Sequence, residues 1–292
     1  DPRNSSHLVV GGWIRGCTSG SSTTGGFYTT TDAGLTWTKR LSAAVYEIVQ
    51  DPTVQDIFWA ATSAGVYKSV DNAETWTLQT ASSLPSGNTG RTELAISPSR
   101  STTVNALFQS PNQLWRTTDG GATWTQQASG SDACDGQCSY NMVLRVHNTD
   151  PDIVIRGTIR NWRSLDGGVS WTDVADGLPK DRWVSRVIAS AHANDRAYVT
   201  LNGSRDDDMT AYVYRTENLG DDWNDIGERL PAEPVNVIRE DPSNEDVLYV
   251  GTDRGVYVTL DGGESWQALQ ADLPNVPVHD LAVQARDAEL VA

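Results

Sequence analysis

Residues 259–266 read Thr-Leu-Asp-Gly-Gly-Glu-Ser-Trp, and this eight-residue motif recurs along the whole chain. Every copy has Thr or Ser first, Asp or Asn third and Trp last. Successive copies are about 40 to 50 residues apart, which indicates a structural repeat. Six of the eleven Trp residues occupy the last motif position. The other copies are residues 30–37, 69–76, 117–124, 164–171 and 216–223.

The residue types of the motif predict a tight turn between two strands. A carboxylate at the third position accepts hydrogen bonds from N–H groups of its own turn, and Gly at the fifth position adopts positive φ without strain. The Trp that follows packs its ring between neighbouring sheets. We therefore expect a structural role for the third residue of each copy. These residues are Asp32, Asp71, Asp119, Asp166, Asn218 and Asp261.

Two copies depart from the common pattern. Residues 69–76 have Ala73 where Gly is usual, and residues 216–223 have Asn218 for Asp and Asp222 for Thr or Ser. Ala disfavours the positive φ that Gly adopts, and Asn and Asp replace the carboxylate and the hydroxyl that the turn uses, so we expect these two turns to be less regular than the others.

Short β-rich stretches surround each motif. Two of them precede the last copy, at residues 235–238 and 247–250, with Asp241-Pro242 between them. With the strands that enter and leave the motif, each repeat contains four antiparallel strands, which is typical of a propeller blade. We predict an all-β fold, a six-bladed β-propeller of four-stranded antiparallel blades, forming one domain over residues 1–292. The alternative is a fragment of a longer propeller protein.

The ends of the chain bear on how such a ring closes. Residues 7–12 match the second strand of a blade, so the first blade lacks its innermost strand. Residues 277–283 are a candidate for that strand, which would remove an exposed sheet edge. However, residues 289–292 resemble the start of yet another second strand. Either these last residues are a tail, or the sequence is part of a longer protein.

The motif resembles the Asp-box, or BNR, repeat, S/T-x-D-x-G-x-T/S-W. From Trp183 onward, and especially at residues 234–242 and 276–281, the chain is similar to bacterial exported BNR-repeat proteins labelled "glycosyl hydrolase" or sortilin-like. Asp-box propellers include sialidases, xyloglucan-active hydrolases, sortilin-type receptors and photosystem assembly factors. The F/Y-R-I-P motif that the resemblance to sialidases would imply is absent from this sequence. A shared fold does not establish hydrolysis.

Charge and hydropathy exclude several classes of partner. The chain carries 38 acidic and 22 basic residues, for a formal net charge of -16. Binding to nucleic-acid phosphates requires clustered basic residues, so we expect no nucleic-acid partner. The three Lys residues of the chain are too few for polybasic attachment to anionic lipid. The sequence has no run of 18 apolar residues, so we expect no membrane insertion.

Charged residues recur in the predicted innermost strands, close to the central channel. If the protein is an enzyme, Glu47, Glu93 and Asp280 are the candidate catalytic carboxylates, since a glycosidase needs an acid and a base or nucleophile. Alternatively, the channel is wet and lined with paired charges. Arg186, Arg239 and His279 lie at the same or neighbouring positions and are candidate ligand-binding residues.

Loops on the face opposite the Asp-box turns are long and irregular. We call this the long-loop face; it comprises residues 13–26, 79–91, 126–141, 172–183 and 202–211. Loops on a rigid scaffold commonly carry function. Trp13, Tyr140 and Trp183 lie on or beside it and are candidates for stacking on sugars or anchoring a protein. The alternative is that these rings pack locally under the loops.

The three Cys residues, Cys17, Cys134 and Cys138, have no metal-ligand spacing. Cys134 and Cys138 are disulfide candidates in one loop, although Cys17 is an alternative partner for either. A disulfide would indicate an extracytoplasmic location, whether secreted, periplasmic or cell-surface. Residues 206–208 and the pair Asp132 and Asp135 are candidate calcium ligands, but neither has EF-hand spacing. We therefore expect no cofactor.

Three functional hypotheses follow. The first is an exported, non-catalytic propeller that binds a protein or glycan through its long-loop face. The second is a glycoside hydrolase that uses channel carboxylates. The third is a structural blade array of a larger surface protein.

Overall fold

The structure, a computed structural model, describes residues 3–14, 24–130, 133, 138–139, 142–158, 160–269, 275–284 and 289–291. Its regular structure is antiparallel β-sheet, apart from short 3₁₀ turns such as Ala81–Ser83 and Ser204–Asp206. The chain divides into two compact units, which we describe separately: Asp1–Tyr140 with Gly167–Val169, and Asn141–Asp166 with Ser170–Ala292.

The first unit contains three sheets in which each strand pairs with its neighbours in sequence. The first sheet has three strands and the other two have four. The first sheet contains β1 (Leu8–Ile14), β2 (Thr24–Thr30) and β3 (Thr38–Leu41). The second contains β4 (Val45–Gln50), β5 (Phe58–Thr62), β6 (Gly65–Ser69) and β7 (Thr77–Leu78). The third contains β8 (Thr92–Ile96), β9 (Val104–Phe108), β10 (Gln113–Thr117) and β11 (Thr125–Ser129).

The second unit contains three four-stranded sheets and a two-stranded one. Its first two sheets contain β12 (Val143–Val146), β13 (Val154–Gly157), β14 (Asn161–Ser164) and β15 (Thr172–Asp173), and β16 (Trp183–Ala189), β17 (Ala197–Gly203), β18 (Asp208–Thr216) and β19 (Asn224–Asp225). The third contains β20 (Val235–Glu240), β21 (Leu248–Thr252), β22 (Val256–Thr259) and β23 (Gln267–Ala268). The two-stranded sheet contains β24 (Ala282–Gln284) and β25 (Glu289–Val291).

These sheets confirm the predicted all-β fold of antiparallel propeller blades. Each Asp-box connects the last two strands of its sheet, and the first sheet has three strands because β1 corresponds to a second strand. Of residues 277–283, the candidate for the missing strand, only Ala282 and Val283 lie in a strand. That strand, β24, pairs with β25 within the second unit, with Ala282 opposite Val291. Residues 289–291 thus form a second strand, as their sequence predicts.

The second strands form the core of the units. Every residue of β5, β9 and β17 is buried. Alternate side chains of a strand point to opposite faces, so burial of all of them means that these sheets are covered on both sides. Trp59 and Phe108 contribute to the core of the first unit, and Tyr198 and Val250 to that of the second.

The third Asp-box shows the hydrogen bonding of the turn. Asp119 Oδ1 accepts from Thr117 Oγ at 2.8 Å and from the Thr123 N–H at 2.9 Å, and Asp119 Oδ2 accepts from Thr123 Oγ at 2.6 Å. These bonds, led by that of the Thr123 hydroxyl, lower the pKa of Asp119 to about 2. Gly120 and Gly121 have φ of 70° and 96°, as the motif predicts.

The expectation that the second and fifth Asp-boxes are less regular is wrong. Ala73 adopts φ of 68°, and its N–H donates to Ser69 Oγ at 3.0 Å as a Gly would. In the fifth box the donor and the acceptor have exchanged places. Asn218 Nδ2 donates to Asp222 Oδ2 at 3.0 Å, whereas in the other boxes a hydroxyl donates to the Asp. The two substitutions compensate each other, so the turn keeps its hydrogen bonds.

Asp-box Trp side chains link consecutive sheets, as the motif predicts. Trp223 Nε1 donates to the carbonyl oxygen of Val174 and Trp266 Nε1 to that of Ile226, both at 2.7 Å. In the first unit, Trp124 packs edge-to-face on Trp59, with ring centroids 6.0 Å apart.

A basic side chain makes a second, repeated link between sheets. The residue before the first Ser or Thr of an Asp-box donates to the carbonyl oxygen of the fourth residue in the following Asp-box. Three such bonds are Lys68 to Gly120 (2.7 Å), Arg163 to Leu219 (2.9 Å) and Arg215 to Gly262 (3.1 Å). We call these bonds the clasps. The accepting residues all have positive φ, so the same left-handed turn conformation recurs at every clasp.

Candidate ligand-binding site

A cluster of arginine side chains surrounds Asp280 in the second unit. Asp280 Oδ1 accepts from Arg239 Nη2 at 2.5 Å and from Arg186 Nη2 at 3.3 Å. It also accepts from the Leu281 N–H at 2.9 Å. Arg186 lies on β16 and Arg239 on β20, the innermost strands of consecutive sheets. The structure therefore brings together three residues that the sequence places at one level of the innermost strands.

Burial and neighbouring positive charges lower the pKa of one arginine in this cluster. The pKa of Arg239 is lowered to about 10, chiefly because the side chain is buried and then because Arg186 and Arg145 are close. Arg145 lies on β12, the innermost strand of the sheet that precedes the sheet of Arg186 in sequence. Its Nη1 donates to the carbonyl oxygen of Leu144 at 2.6 Å. Two arginines thus bind Asp280 and a third lies close enough to Arg239 to affect its pKa, and a group of this composition favours an additional anion.

The chain segment that carries Asp280 is held in place on both sides. Val278 and Leu281 are buried, whereas His279 and Asp280 are exposed. The Val278 N–H donates to the Thr252 carbonyl oxygen at 2.8 Å, and Arg239 Nε donates to the Leu281 carbonyl oxygen at 2.7 Å. These contacts present the His279 ring and the Asp280 carboxylate to solvent beside the arginines.

The other two candidate catalytic carboxylates lie in the first unit and are engaged there. Glu93 is buried, and its Oε1 accepts from Arg91 Nε at 2.9 Å and Nη2 at 2.7 Å. Glu47 Oε2 accepts from the Leu94 N–H at 2.8 Å. Glu93 is thus paired with an arginine, whereas Glu47 is bonded to a backbone N–H of the neighbouring innermost strand.

The predicted aromatic positions are only partly described. Trp183 is half-buried, and the Arg205 guanidinium lies 5.1 Å from its ring centroid, in cation–π contact. The backbone of Trp13 pairs with that of Gly25 in the first sheet. The Trp13 side chain and Tyr140 lie outside the described residues.

Cysteine and metal predictions have different outcomes. Cys138 is buried and disulfide-bonded. Cys134 and Cys17, its candidate partners, lie outside the described residues, as do Asp132 and Asp135. Asp208, a candidate calcium ligand, accepts from the Thr210 N–H, Tyr212 and Arg182, and these bonds lower its pKa. Within the described ranges, no group of three or more His, Cys, Asp or Glu residues has metal-binding geometry.

No helix among the described residues is long and apolar enough to cross a membrane.

Comparison with known proteins supports the fold. Residues 159–275 match the Sortilin-Vps10 family model, described as sortilin, neurotensin receptor 3. The chain contains a sortilin-like β-propeller segment. No curated protein sequence matches the chain.

Solved structures of β-propellers resemble the chain in fold. The GH74 xyloglucanase of Xanthomonas campestris is 18% identical with a TM-score of 0.67, and the alignment covers 93% of this chain and 44% of the enzyme. The chain thus spans less than half of that enzyme. YCF48 bound to D1 peptide is 13% identical with a TM-score of 0.59, with coverage of 93% and 88%. The extracellular domain of the one-component system BT4673 from B. thetaiotaomicron is 12% identical with a TM-score of 0.63, with coverage of 92% and 35%.

Two groups of residues were missed or undervalued at the sequence level. Arg145 is not among the residues that the sequence predicts to bind a ligand, because its contribution depends on how the innermost strands pack. The clasp residues were missed altogether. Their signal is visible in hindsight, since four Asp-boxes follow directly on a basic residue: Lys68, Arg116, Arg163 and Arg215.

Proposed function

We propose that this protein is an exported, non-catalytic β-propeller that binds a protein or glycan ligand through an acidic group of that ligand. The observation that carries the proposal is that Arg186 and Arg239 share the carboxylate of Asp280, with Arg145 close to Arg239. The long-loop face, with Trp183, supplies further contact surface. The proposed binding uses protein side chains and needs no cofactor.

Arginine chemistry supports an anionic group as the recognised feature. A guanidinium presents planar, forked donors that match a carboxylate, and charge-assisted bonds of this kind are stronger than neutral ones. Burial reduces the competition from water at Arg186 and Arg239, whose side chains are 19% and 24% exposed. In this proposal Asp280 occupies part of the site and a ligand carboxylate or sulfate competes with it.

Hydrolysis receives less support from the same residues. Glu47 and Glu93 are held by the Leu94 N–H and by Arg91, and Asp280 is held by two arginines. The likeness to GH74 enzymes is below 25% identity and concerns the fold. The glycoside hydrolase remains the second candidate, because GH74 enzymes are among the solved structures that share the fold.

Export is proposed on two grounds. Cys138 is disulfide-bonded, and structural disulfides persist mainly in oxidising compartments outside the cytoplasm. BT4673, one of the similar structures, is described as an extracellular domain. YCF48, another, is described as bound to a peptide, which agrees with ligand binding by such a scaffold.

The test is a screen of acidic and neutral peptides and glycans, with affinities measured for the full chain and its variants. Arg186→Gln and Arg145→Gln are expected to weaken binding of acidic ligands roughly tenfold each, as loss of a charge-assisted bond implies. Arg160→Gln is the control, because it removes the same charge from an exposed side chain that pairs with Asp173. Equal losses in all three variants, or no loss, would contradict the proposal.

Asp280→Asn separates binding from hydrolysis. If Asp280 competes with an acidic ligand, the variant keeps the shape of the site and binds that ligand several-fold more tightly. If Asp280 is a catalytic carboxylate, the variant loses turnover in a glycosidase-substrate screen. Glu47→Gln, tested beside it, is expected to change neither measurement. Turnover that is lost in either variant would overturn the non-catalytic proposal.

A further inference from the structure

Two consecutive repeats of the second unit leave their outermost strands in the same way. Residues 173–179, at the end of β15, read Asp-Val-Ala-Asp-Gly-Leu-Pro, and residues 225–231, at the end of β19, read Asp-Ile-Gly-Glu-Arg-Leu-Pro. In both segments the first Asp accepts from the N–H of the third residue, and the buried Leu donates to the carbonyl oxygen of that third residue. The second carbonyl oxygen accepts from the Trp of the following Asp-box. The two segments are therefore structurally equivalent.

The fifth residue of the segment differs between the two repeats. In the second segment it is Arg229, whose Nη1 donates to the carbonyl oxygen of Glu264 at 2.6 Å. Glu264 is the sixth residue of the following Asp-box, and its equivalent in the preceding repeat is Asp221. The residue equivalent to Arg229 is Gly177, which has φ of 85°, and a Cβ added to it would meet no atom within 4 Å. The first segment thus has no side chain where the second has an arginine.

A cavity of about 640 Å³ lies beside Gly177, between its segment and the fifth Asp-box. Four carboxylate side chains and the half-buried Trp223 line this cavity, and none of the described residues that line it is basic. The carboxylates are those of Asp176, Glu217, Asp221 and Asp222.

Three of these carboxylates have partners within the chain. Arginine side chains pair with Glu217 and Asp221, and Asn218 donates to Asp222. Asp176 is exposed, and its carboxylate forms no hydrogen bond or ion pair with any other residue that the structure describes. The cavity therefore offers one acidic group that is available to a ligand, in a wall whose other carboxylates are fixed.

We propose that this cavity binds an arginine side chain of a partner protein. The equivalent place in the next repeat supports this ligand, because Arg229 occurs there next to Glu228 and donates to an Asp-box carbonyl oxygen. The acceptors for the partner's guanidinium are the Asp176 carboxylate and the Asp221 carbonyl oxygen. A guanidinium presents planar, forked donors that suit two acceptors, and it stacks on aromatic rings such as that of Trp223.

Net charge also favours a basic partner, since a chain of formal charge -16 attracts cationic ligands at long range. The cavity lies beside the outermost strand β19, whereas the arginine cluster lies on the innermost strands β16 and β20. The proposal concerns a second site with the opposite preference for charge, and it does not rest on the function proposed above.

The probe is the acetylated and amidated peptide Gly-Gly-Arg-Gly-Gly, whose only charge is the guanidinium. It is titrated into the full chain, and binding is followed by the NMR signal of the Trp223 indole N–H. The same peptide with citrulline for Arg keeps the shape without the charge, and we expect it to bind at least about tenfold more weakly. The peptide with Lys for Arg is expected to bind at least about threefold more weakly, because an ammonium lacks the planar fork.

Two substitutions in the protein complete the test. Asp176→Asn keeps the shape of the cavity and is expected to weaken binding of the arginine peptide about tenfold, since a charge-assisted bond is lost. Glu228→Gln is the matched control, because it removes the same charge from the equivalent position of the next repeat, and we expect affinity within about twofold of the parent. Both side chains are exposed, and circular dichroism checks that both variants fold.

Three results would overturn the proposal. Absence of a Trp223 shift with the arginine peptide would mean that the cavity takes no guanidinium. Equal affinities for the arginine peptide and either control peptide would mean that the site does not recognise this group. Equal losses in Asp176→Asn and Glu228→Gln would assign the binding to net charge rather than to the cavity.

Discussion

At the scale of single residues, the Asp-box depends on hydrogen-bond roles rather than on residue names. Asp119 and Thr123 form the usual pair, with the hydroxyl donating to the carboxylate. Asn218 and Asp222 form the same link with donor and acceptor exchanged. Each substitution by itself breaks the S/T-x-D-x-G-x-T/S-W pattern, which is why the sequence predicts an irregular turn.

The exchange predicts non-additive mutations. Asn218→Asp places two carboxylates where a hydrogen bond was, so we expect a loss of about 1 kcal/mol in the free energy of unfolding at neutral pH. Asn218→Asp combined with Asp222→Thr recreates the common Asp-box, and we expect stability within about 0.5 kcal/mol of the parent. Urea unfolding of the two single variants and the double variant measures the coupling. Additive losses would show that the two side chains act independently.

At the scale of strands and turns, links between sheets come from repeated positions. Trp223 and Trp266 each donate to a carbonyl oxygen of the preceding repeat, and the clasps of Arg163 and Arg215 add a cationic donor between the same sheets. The clasp position precedes the motif and tolerates Lys or Arg. A motif search that begins at the first Ser or Thr therefore misses it.

Loss of a clasp is expected to lower the free energy of unfolding more than loss of an exposed charge. Arg215→Met removes the bond to the Gly262 carbonyl oxygen from a side chain that is 28% exposed, and the expected loss is about 1 to 2 kcal/mol. Arg254→Met is the control, since Arg254 is exposed, and its expected effect is within about 0.5 kcal/mol. Chemical denaturation of both variants checks this difference. Equal effects would assign the loss to net charge rather than to the clasp.

At the scale of the whole molecule, net charge and the arginine cluster have opposite signs. The chain carries a formal charge of -16, whereas Arg145, Arg186 and Arg239 form a local excess of positive charge near one carboxylate. An acidic ligand is therefore repelled by the molecule at long range and attracted at short range. Salt screens the long-range repulsion more completely than the short-range attraction, because the arginines are partly buried.

Salt is thus predicted to raise both stability and affinity. Raising KCl from about 0.01 M to about 0.5 M reduces self-repulsion of the acidic chain, so we expect its thermal unfolding midpoint to rise. Affinity for an acidic ligand is expected to rise over the same range, because salt screens the long-range repulsion more completely than the attraction at the partly buried arginines. Thermal scans and binding isotherms at matched salt concentrations measure both. A midpoint that does not rise would exclude self-repulsion as a significant cost.

The sequence by itself determined the repeat, the strand pattern and the conformation of the Asp-box turns, because these depend on residues within about eight positions of one another. It also identified Arg186, Arg239, His279 and Asp280 as charged residues of the innermost strands. Only the tertiary structure decided that Asp280 lies between two arginines, that Asn218 and Asp222 compensate each other, and that β24 pairs with β25. Those outcomes depend on which strands pack side by side and on the direction of individual side chains, and neither follows from local sequence.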